Sequence, residues 1–486
     1  MVRTGIYFFT SLAFLLTTSP GAVAAPVPLT PKDVAELVLK QSYKAQETNL
    51  TAQQARLAWA TIEKNYDFQL SVESGYQDSK FESTSNSYLL QDKQFVTTTS
   101  LKKPFFSGTS LTLEYNRTSD QPDYSSSATS TTSSYTKDIF ALSVEQSLLK
   151  NFLGLANRAE LRSAEATLKA TEITRVSDLQ KLVLEAIRSY WAAYVAQETF
   201  QESLNSRERY QKLVSTVKRK TGYGYASPGE SAQAEAELEV REQNVKRESR
   251  TYLGAMDSLA TLLKLPAGSE VQFKVSESIP TPPNLSSVEV EKLRPVVSSQ
   301  LKLKAAEENL TASKSNSLPD LSLVGKYSTQ GLEETAPDAY NEMVAGTRPQ
   351  YYVGVKLSYN FGSGYTDEDQ LNKRVSRDLA DAQLQRQRLE LKDQELDLQR
   401  KIQSTYAIAV SAKNQKALRE KAAQELQKTY TQGRTDISTL IEALNKYFDA
   451  EVALTRAIGD YHISLNEWAA FRDELIPDRK NNESKN

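Results

Sequence analysis

Tyr351-Tyr352-Val353-Gly354-Val355-Lys356-Leu357-Ser358-Tyr359-Asn360-Phe361 alternates strictly along the chain. Tyr351, Val353, Val355, Leu357, Tyr359 and Phe361 share one face of a strand, and Tyr352, Gly354, Lys356, Ser358 and Asn360 share the other. The run is about 11 residues, enough for a tilted strand to cross a bilayer. Aromatics end the apolar row on both sides, where interfacial girdles lie. From Thr366 to Gln432 the chain then has neither Gly nor Pro. At about 1.5 Å per residue, that run makes roughly 100 Å of helix. The sequence thus places a membrane-type strand directly before a very long helix.

The same order occurs earlier in the chain. Phe68, Leu70, Val72 and Tyr76 alternate with Gln69, Ser71, Glu73 and Gly75, and Phe140, Leu142 and Val144 alternate with Ala141, Ser143 and Glu145. A second long helix is predicted over about Leu155 to Thr221. A leading helix is predicted before each set of strands. The first starts at Thr30-Pro31-Lys32-Asp33 and runs to about Tyr66, with Thr30 as N-cap. Its counterpart covers about Ser286 to Ser315. Phe95 to Lys103 and Thr109 to Thr118 read as an additional hairpin with no equivalent in the second half. That leaves four strands per chain besides it. Ser119 to Thr136 is almost all Ser, Thr, Asp and Tyr and reads as an exposed loop. The chain divides into a signal segment 1–24, a first repeat 25–265, a linker 266–285, a second repeat 286–471 and a polar tail 472–486.

Two apolar stripes run along the second long helix. Val375, Ala382, Leu389 and Leu396 recur every seven residues, as do Leu384, Leu391 and Leu398. Leu389 and Leu391 are two residues apart, about 200° around the helix. A two-stranded coiled coil needs one seam; two seams predict neighbours on both flanks, as in a ring of helices. Each long helix ends at a similar turn. Gly224-Tyr225-Ala226-Ser227 leads to Ala234, and Gly433-Arg434-Thr435-Asp436 leads to Ala443. Gly ends the outgoing helix and Ser227 or Asp436 caps the returning one, which runs to about Leu263 or Phe471.

Composition removes most alternatives. The chain has 486 residues, Lys plus Arg 59 against Asp plus Glu 61, one His and no Cys. A broad basic nucleic-acid face, a thiolate site, a disulfide and a multi-His metal centre are all excluded. His462 reads as a packing residue. Gly222-Tyr223-Gly224 follows no strand, so it is not a dinucleotide loop. Lys218-Arg219-Lys220 reads as a solvated run near the turn. Arg3, the apolar run Ile6 to Leu16 and Ala22-Val23-Ala24 mark an export signal cleaved after Ala24. No later apolar run is long enough for a membrane helix, so any crossing is made by strands.

The order and spacing of these features resemble the TolC-like outer-membrane efflux proteins over nearly all of the chain beyond residue 24. The resemblance rests on the repeat, on Leu318-Pro319-Asp320-Leu321-Ser322-Leu323, on the strand before each long helix and on the two Gly-x-x-[Ser/Asp] turns. It implies a mixed α and β fold, in which a homotrimer shares one outer-membrane β-barrel continued by a long periplasmic α-helical barrel. It also implies a passive exit channel of a tripartite efflux pump or type I secretion system, carrying small molecules or polypeptides. Its partners would be a periplasmic adaptor (membrane fusion) protein, an inner-membrane transporter and outer-membrane lipid. Nucleic acid, cofactor and catalytic residues are not expected. Gly224, Ser227, Gly433 and Asp436 would form the adaptor-docking tips. The family's acidic positions one and four before Ala443 are Glu442 and Thr439 here, and would line the pore constriction. Three Glu442 carboxylates at an axis would favour cations and repel one another, so that some titrate above a free Glu; a solvated or salt-bridged Glu442 is the alternative. Glu230, Tyr430 and Arg434 would hold the tip closed, with Arg434 pairing Glu230. The chain departs from the family in lacking a lipobox Cys and in carrying the extra hairpin. A periplasmic coiled-coil scaffold or adaptor, with its strands buried in soluble domains, is the alternative reading.

Overall fold

The structure, a computed structural model, describes residues 27–82, 89–124, 134–266, 271–275, 278–359 and 365–476. The expected signal segment, Asn360 and Phe361, and the tail beyond residue 476 lie outside the described residues. The elements begin with β1 (Val27–Leu29), α1 (Pro31–Gln41), α2 (Tyr43–Lys64), β2 (Gln69–Lys80), β3 (Leu89–Pro104), β4 (Thr109–Tyr124) and β5 (Tyr135–Ser147). There follow α3 (Leu155–Gly222), α4 (Pro228–Leu263), β6 (Val271–Phe273), α5 (Arg294–Asn316), β7 (Asp320–Glu333), α6 (Ala336–Ala345), β8 (Pro349–Ser358), α7 (Tyr365–Thr431) and α8 (Ile437–Phe471). Among the described residues, no helix is long and apolar enough to cross a membrane.

Contacts group the chain into two compact units. One comprises residues 1–42, 183–282 and 403–465; the other comprises 43–182, 283–402 and 466–486. In the first, β1 pairs in parallel with β6, so the expected linker contains a short strand. The buried Tyr190 donates its hydroxyl to the Leu29 carbonyl at 3.1 Å. His462 stacks on Trp191 with centroids 4.3 Å apart, and burial pushes its imidazole pKa down.

The first leading helix is two helices. Thr30 caps α1 as expected, but Ser42 is extended (φ −65°, ψ 135°) and ends it. Ser is a weak helix former that competes for its own backbone bonds. The second begins later than Ser286, because Pro295 sets the first turn of α5 and leaves Leu293 extended before it.

The second unit holds a six-stranded antiparallel sheet in the order β2-β3-β4-β5-β7-β8. The extra hairpin therefore enters the sheet between β2 and β5, and four strands become six. Ser119 to Tyr124 extend β4, and Tyr135 and Thr136 open β5, so both ends of that polar segment are strand. Composition misled there because the ladder satisfies the backbone whatever the side chains are. The polar side chains also pair across it: Tyr135 donates to Asp120 at 2.6 Å. The middle, residues 125–133, lies outside the described residues.

The register puts the alternating residues of all six strands in common rows. Val72, Thr99, Tyr115, Phe140 and Thr329 form one row, and Leu70, Leu101, Leu113, Leu142, Tyr327 and Tyr351 form another. This face is apolar yet open: Leu70, Val72, Tyr76, Tyr351, Val353, Val355 and Leu357 are all exposed. The opposite face carries Ser71, Glu73, Ser100, Glu114, Asn116, Ser143, Lys326 and Lys356. The edge strands β2 and β8 are exposed almost throughout.

The helix α6 was not legible as an element beforehand. Thr335 caps it, Pro337 lies in its first turn, and Gly346 (φ +66°) ends it. It lies against the apolar face of β5 and β7. A Cβ at Gly331 would stand 1.9 Å from the Ala339 carbonyl oxygen, so the close approach requires glycine.

The two stripes of α7 have different fates. Leu384, Leu391, Leu398 and Ile402 are buried within the chain, whereas Val375, Ala382, Leu389 and Leu396 are exposed. Helix α2 carries a similar exposed heptad pair, Leu50 and Leu57.

Candidate functional site: the two helix-hairpin turns

Both hairpins turn by the same hydrogen-bonded motif. Gly224 and Gly433 each have φ +74°. The Tyr225 and Arg434 amides bond the Lys220 and Thr429 carbonyls at 2.8 and 2.9 Å, and the two glycine amides bond Thr221 and Tyr430 at 3.0 Å. This is the left-handed C-terminal cap that glycine accepts without Cβ strain. Nothing lies within 4 Å of where a Cβ would project at either glycine.

The returning helices are capped by different chemistry. Ser227 accepts from the Glu230 amide at 3.2 Å while Glu230 accepts from the Ser227 amide at 3.4 Å, a capping box. Asp436 accepts from the Thr439 amide at 2.9 Å and from its hydroxyl at 2.7 Å. Those bonds hold the Asp436 carboxyl below the usual carboxylate range. Thr439 is thereby committed to the cap.

Beneath the turns, Tyr210, Leu213 and Val217 of α3, Ala234 of α4, Tyr430 of α7, and Leu440 of α8 form one buried cluster. Tyr430 joins the hairpins. Its hydroxyl reaches the Glu230 carboxylate at 3.5 Å, and the Lys220 ammonium lies 4.1 Å from its ring centroid while bonding its carbonyl. Burial and then the Glu230 charge push the Tyr430 phenol up, so it stays a donor. Gln233 adds a second cross-hairpin bond to Ser438 at 3.2 Å. Arg434 is exposed and no ion pair joins it to Glu230; from the second hairpin it is Tyr430 that reaches Glu230.

Glu442 is exposed one turn along α8 and pairs with Lys446. Within one chain, Lys446 holds the Glu442 carboxyl below the usual range. The sequence also allowed a solvated or salt-bridged Glu442, and the i,i+4 spacing to Lys446 is legible in it. Lys220 was likewise read as solvated; only the fold shows that it bridges to the second hairpin.

No protein-family model matches this chain, and no curated protein matches it in sequence. Solved structures do. The outer membrane protein VceC of Vibrio cholerae is 14% identical, with a TM-score of 0.65 over 91% of this chain and 96% of that one. The Campylobacter jejuni outer membrane channel CmeC is 14% identical, with a TM-score of 0.67 over 94% and 88%. The open-state outer membrane channel MtrE of Neisseria gonorrhoeae is 13% identical, with a TM-score of 0.63 over 92% and 90%. At such identities the similarity speaks to architecture alone. That architecture spans almost the whole of each chain, so this protein has the fold of the TolC-like outer-membrane efflux channels.

Proposed function

We propose that this chain is the outer-membrane subunit of an export channel, a passive duct built from three copies with its helices in the periplasm. The observation that carries this is a pair of unlike open sides on the sheet unit. One side ends in β2, preceded by α2 with exposed Leu50 and Leu57. The other ends in β8, followed by α7 with exposed Leu389 and Leu396. Unlike sides join head to tail and close as a ring rather than a two-fold dimer. β2 and β8 run oppositely, so their pairing continues the antiparallel ladder. Three copies of six strands give eighteen, a size that leaves an aqueous channel. The apolar face then meets lipid and the polar face lines the bore, which weighs against a soluble scaffold. Native mass measurement in detergent should give a trimer that conducts in planar bilayers. A conducting monomer would refute the proposal.

The turns at Gly224 and Gly433 are its adaptor-docking ends in this proposal, and the repeats 25–265 and 286–471 its two quasi-equivalent arms. Gly224→Trp or Gly433→Trp strains one left-handed residue by about 1–2 kcal/mol and projects into open space. The trimer is expected in the outer membrane at normal yield, with export lost. If assembly and export fall together, the glycines act only as caps.

Glu442 and Thr439 face the pore in this proposal, and Lys446 accompanies each acid. Lys446→Gln should therefore increase cation preference, and Glu442→Gln should shift it toward anions. Reversal potentials under a salt gradient report both. Two unchanged values would place this face away from the pore.

A further inference from the structure

Where α6 crosses the apolar face of the sheet, it leaves an open cavity of about 780 Å³ lined by Tyr115, Arg117, Phe140, Thr329, Tyr340, Met343 and Val344. Its size falls in the ligand range of roughly 300–1,000 Å³. Ala339 and Met343 anchor α6 below, while Tyr340 and Val344 form an exposed apolar lip. The charged member of the lining belongs to an ion pair. Arg117 donates to Asp138 through Nε at 2.8 Å and Nη2 at 2.7 Å, and the Asp138 side chain is fully buried. Arg117 also lies 5.9 Å from the Tyr115 ring. An ionic pair at the rim of an otherwise apolar belt marks a polar–apolar boundary, and ionisable groups at such depths are generally functional.

We propose that this cavity is a lipid site that holds one acyl chain of the outer leaflet. The inference rests on the membrane reading above. The strand ends at Lys80, Leu89, Tyr124 and Tyr135 and the segment 334–348 lie at the sheet end opposite the junctions with α2, α3, α5 and α7. With those helices in the periplasm, α6 sits on the outer-leaflet side. The cavity is continuous with the face that lipid covers, and water gains little from a groove whose lining is mostly apolar. A void there would forfeit dispersion contacts on every lining atom, so an acyl chain is the occupant chemistry supplies. The Arg117–Asp138 pair and Thr329, which donates to the Met343 carbonyl at 3.0 Å, fix the walls.

The chain has no Cys, so single bimane labels can be placed at Val344→Cys on the lip and at Val355→Cys on the open belt. The protein is reconstituted in phosphatidylcholine vesicles with a rising fraction of brominated acyl chains, which quench bimane. A bound chain predicts half-quenching at Val344→Cys at a several-fold lower brominated fraction than at Val355→Cys. Tyr340→Cys should repeat the result from the other side of the lip. Identical curves at the two sites would overturn the lipid site, as would quenching at Val355→Cys alone. No quenching at either would overturn the membrane reading itself, and the lipid site with it.

Discussion

Leu389→Asp combined with Leu396→Asp is expected to give a chain that folds its helices and stays monomeric. The two leucines are 64% and 52% exposed, so the chain's own packing does not use them. In the ring each would bury against a neighbour, a gain of about 1.5–3 kcal/mol per leucine. Three copies lose six such contacts and bury six carboxylates instead, which no trimer of this size withstands. Leu391→Asp is the contrasting variant. Leu391 is 6% exposed two residues away, and an unpaired charge there attacks the fold itself. Circular dichroism with native mass in detergent separates the two. A normal trimer from the Leu389/Leu396 variant would show that the exposed stripe is not an interface.

The second large effect concerns the Arg209–Glu451 pair. Arg209 Nη2 stands 2.7 Å from Glu451 Oε2, Glu451 is 3% exposed, and Arg209 lies 4.9 Å from the Tyr447 ring centroid. Arg209→Met strands a buried carboxylate and should destabilise by about 3–5 kcal/mol. Arg209→Met with Glu451→Leu should recover most of that loss, since neither charge remains. Burial already raises the Glu451 carboxyl, and Arg209 partly opposes that. Without Arg209 its folded pKa lies further above the unfolded value, so the protonated form is favoured in the fold. The single variant should therefore lose stability as pH rises through that folded pKa and regain it on acidification. Denaturant midpoints at two pH values test the sign. Equal midpoints for the single and double variants would remove the ion pair from the account.

The long helices and their turns were legible because they use local rules. Glycine and proline are absent from α7, and from α3 until its last residue Gly222, and Gly224, Ser227, Gly433 and Asp436 fall where cap geometry demands them. The apolar row from Tyr351 was legible through its period of two. Three things were not. The sheet order depends on pairing between distant strands, which no local pattern encodes, so the hairpin's place beside β5 appeared only in the fold. α6 is short, and its defining contact is the close approach at Gly331. The expected Arg434–Glu230 pair does not form, because Tyr430, distant in sequence, is brought to Glu230 by the fold, whereas Lys446 reaches Glu442 by local i,i+4 spacing.

The open edges of β2 and β8 also matter before any ring exists. A copy not yet joined to others, as the proposed ring requires, presents two edge strands and an uncovered leucine stripe to whatever it meets first. Strands of that kind add to any available sheet, including a misregistered copy of themselves. The molecule's stability is then not a property of one chain but a function of how many chains are nearby. Scarce copies linger as aggregation-prone monomers, and abundant ones race between closure and open-ended pairing. Expression level and chaperone supply, more than any single contact, should set the yield of closed channels.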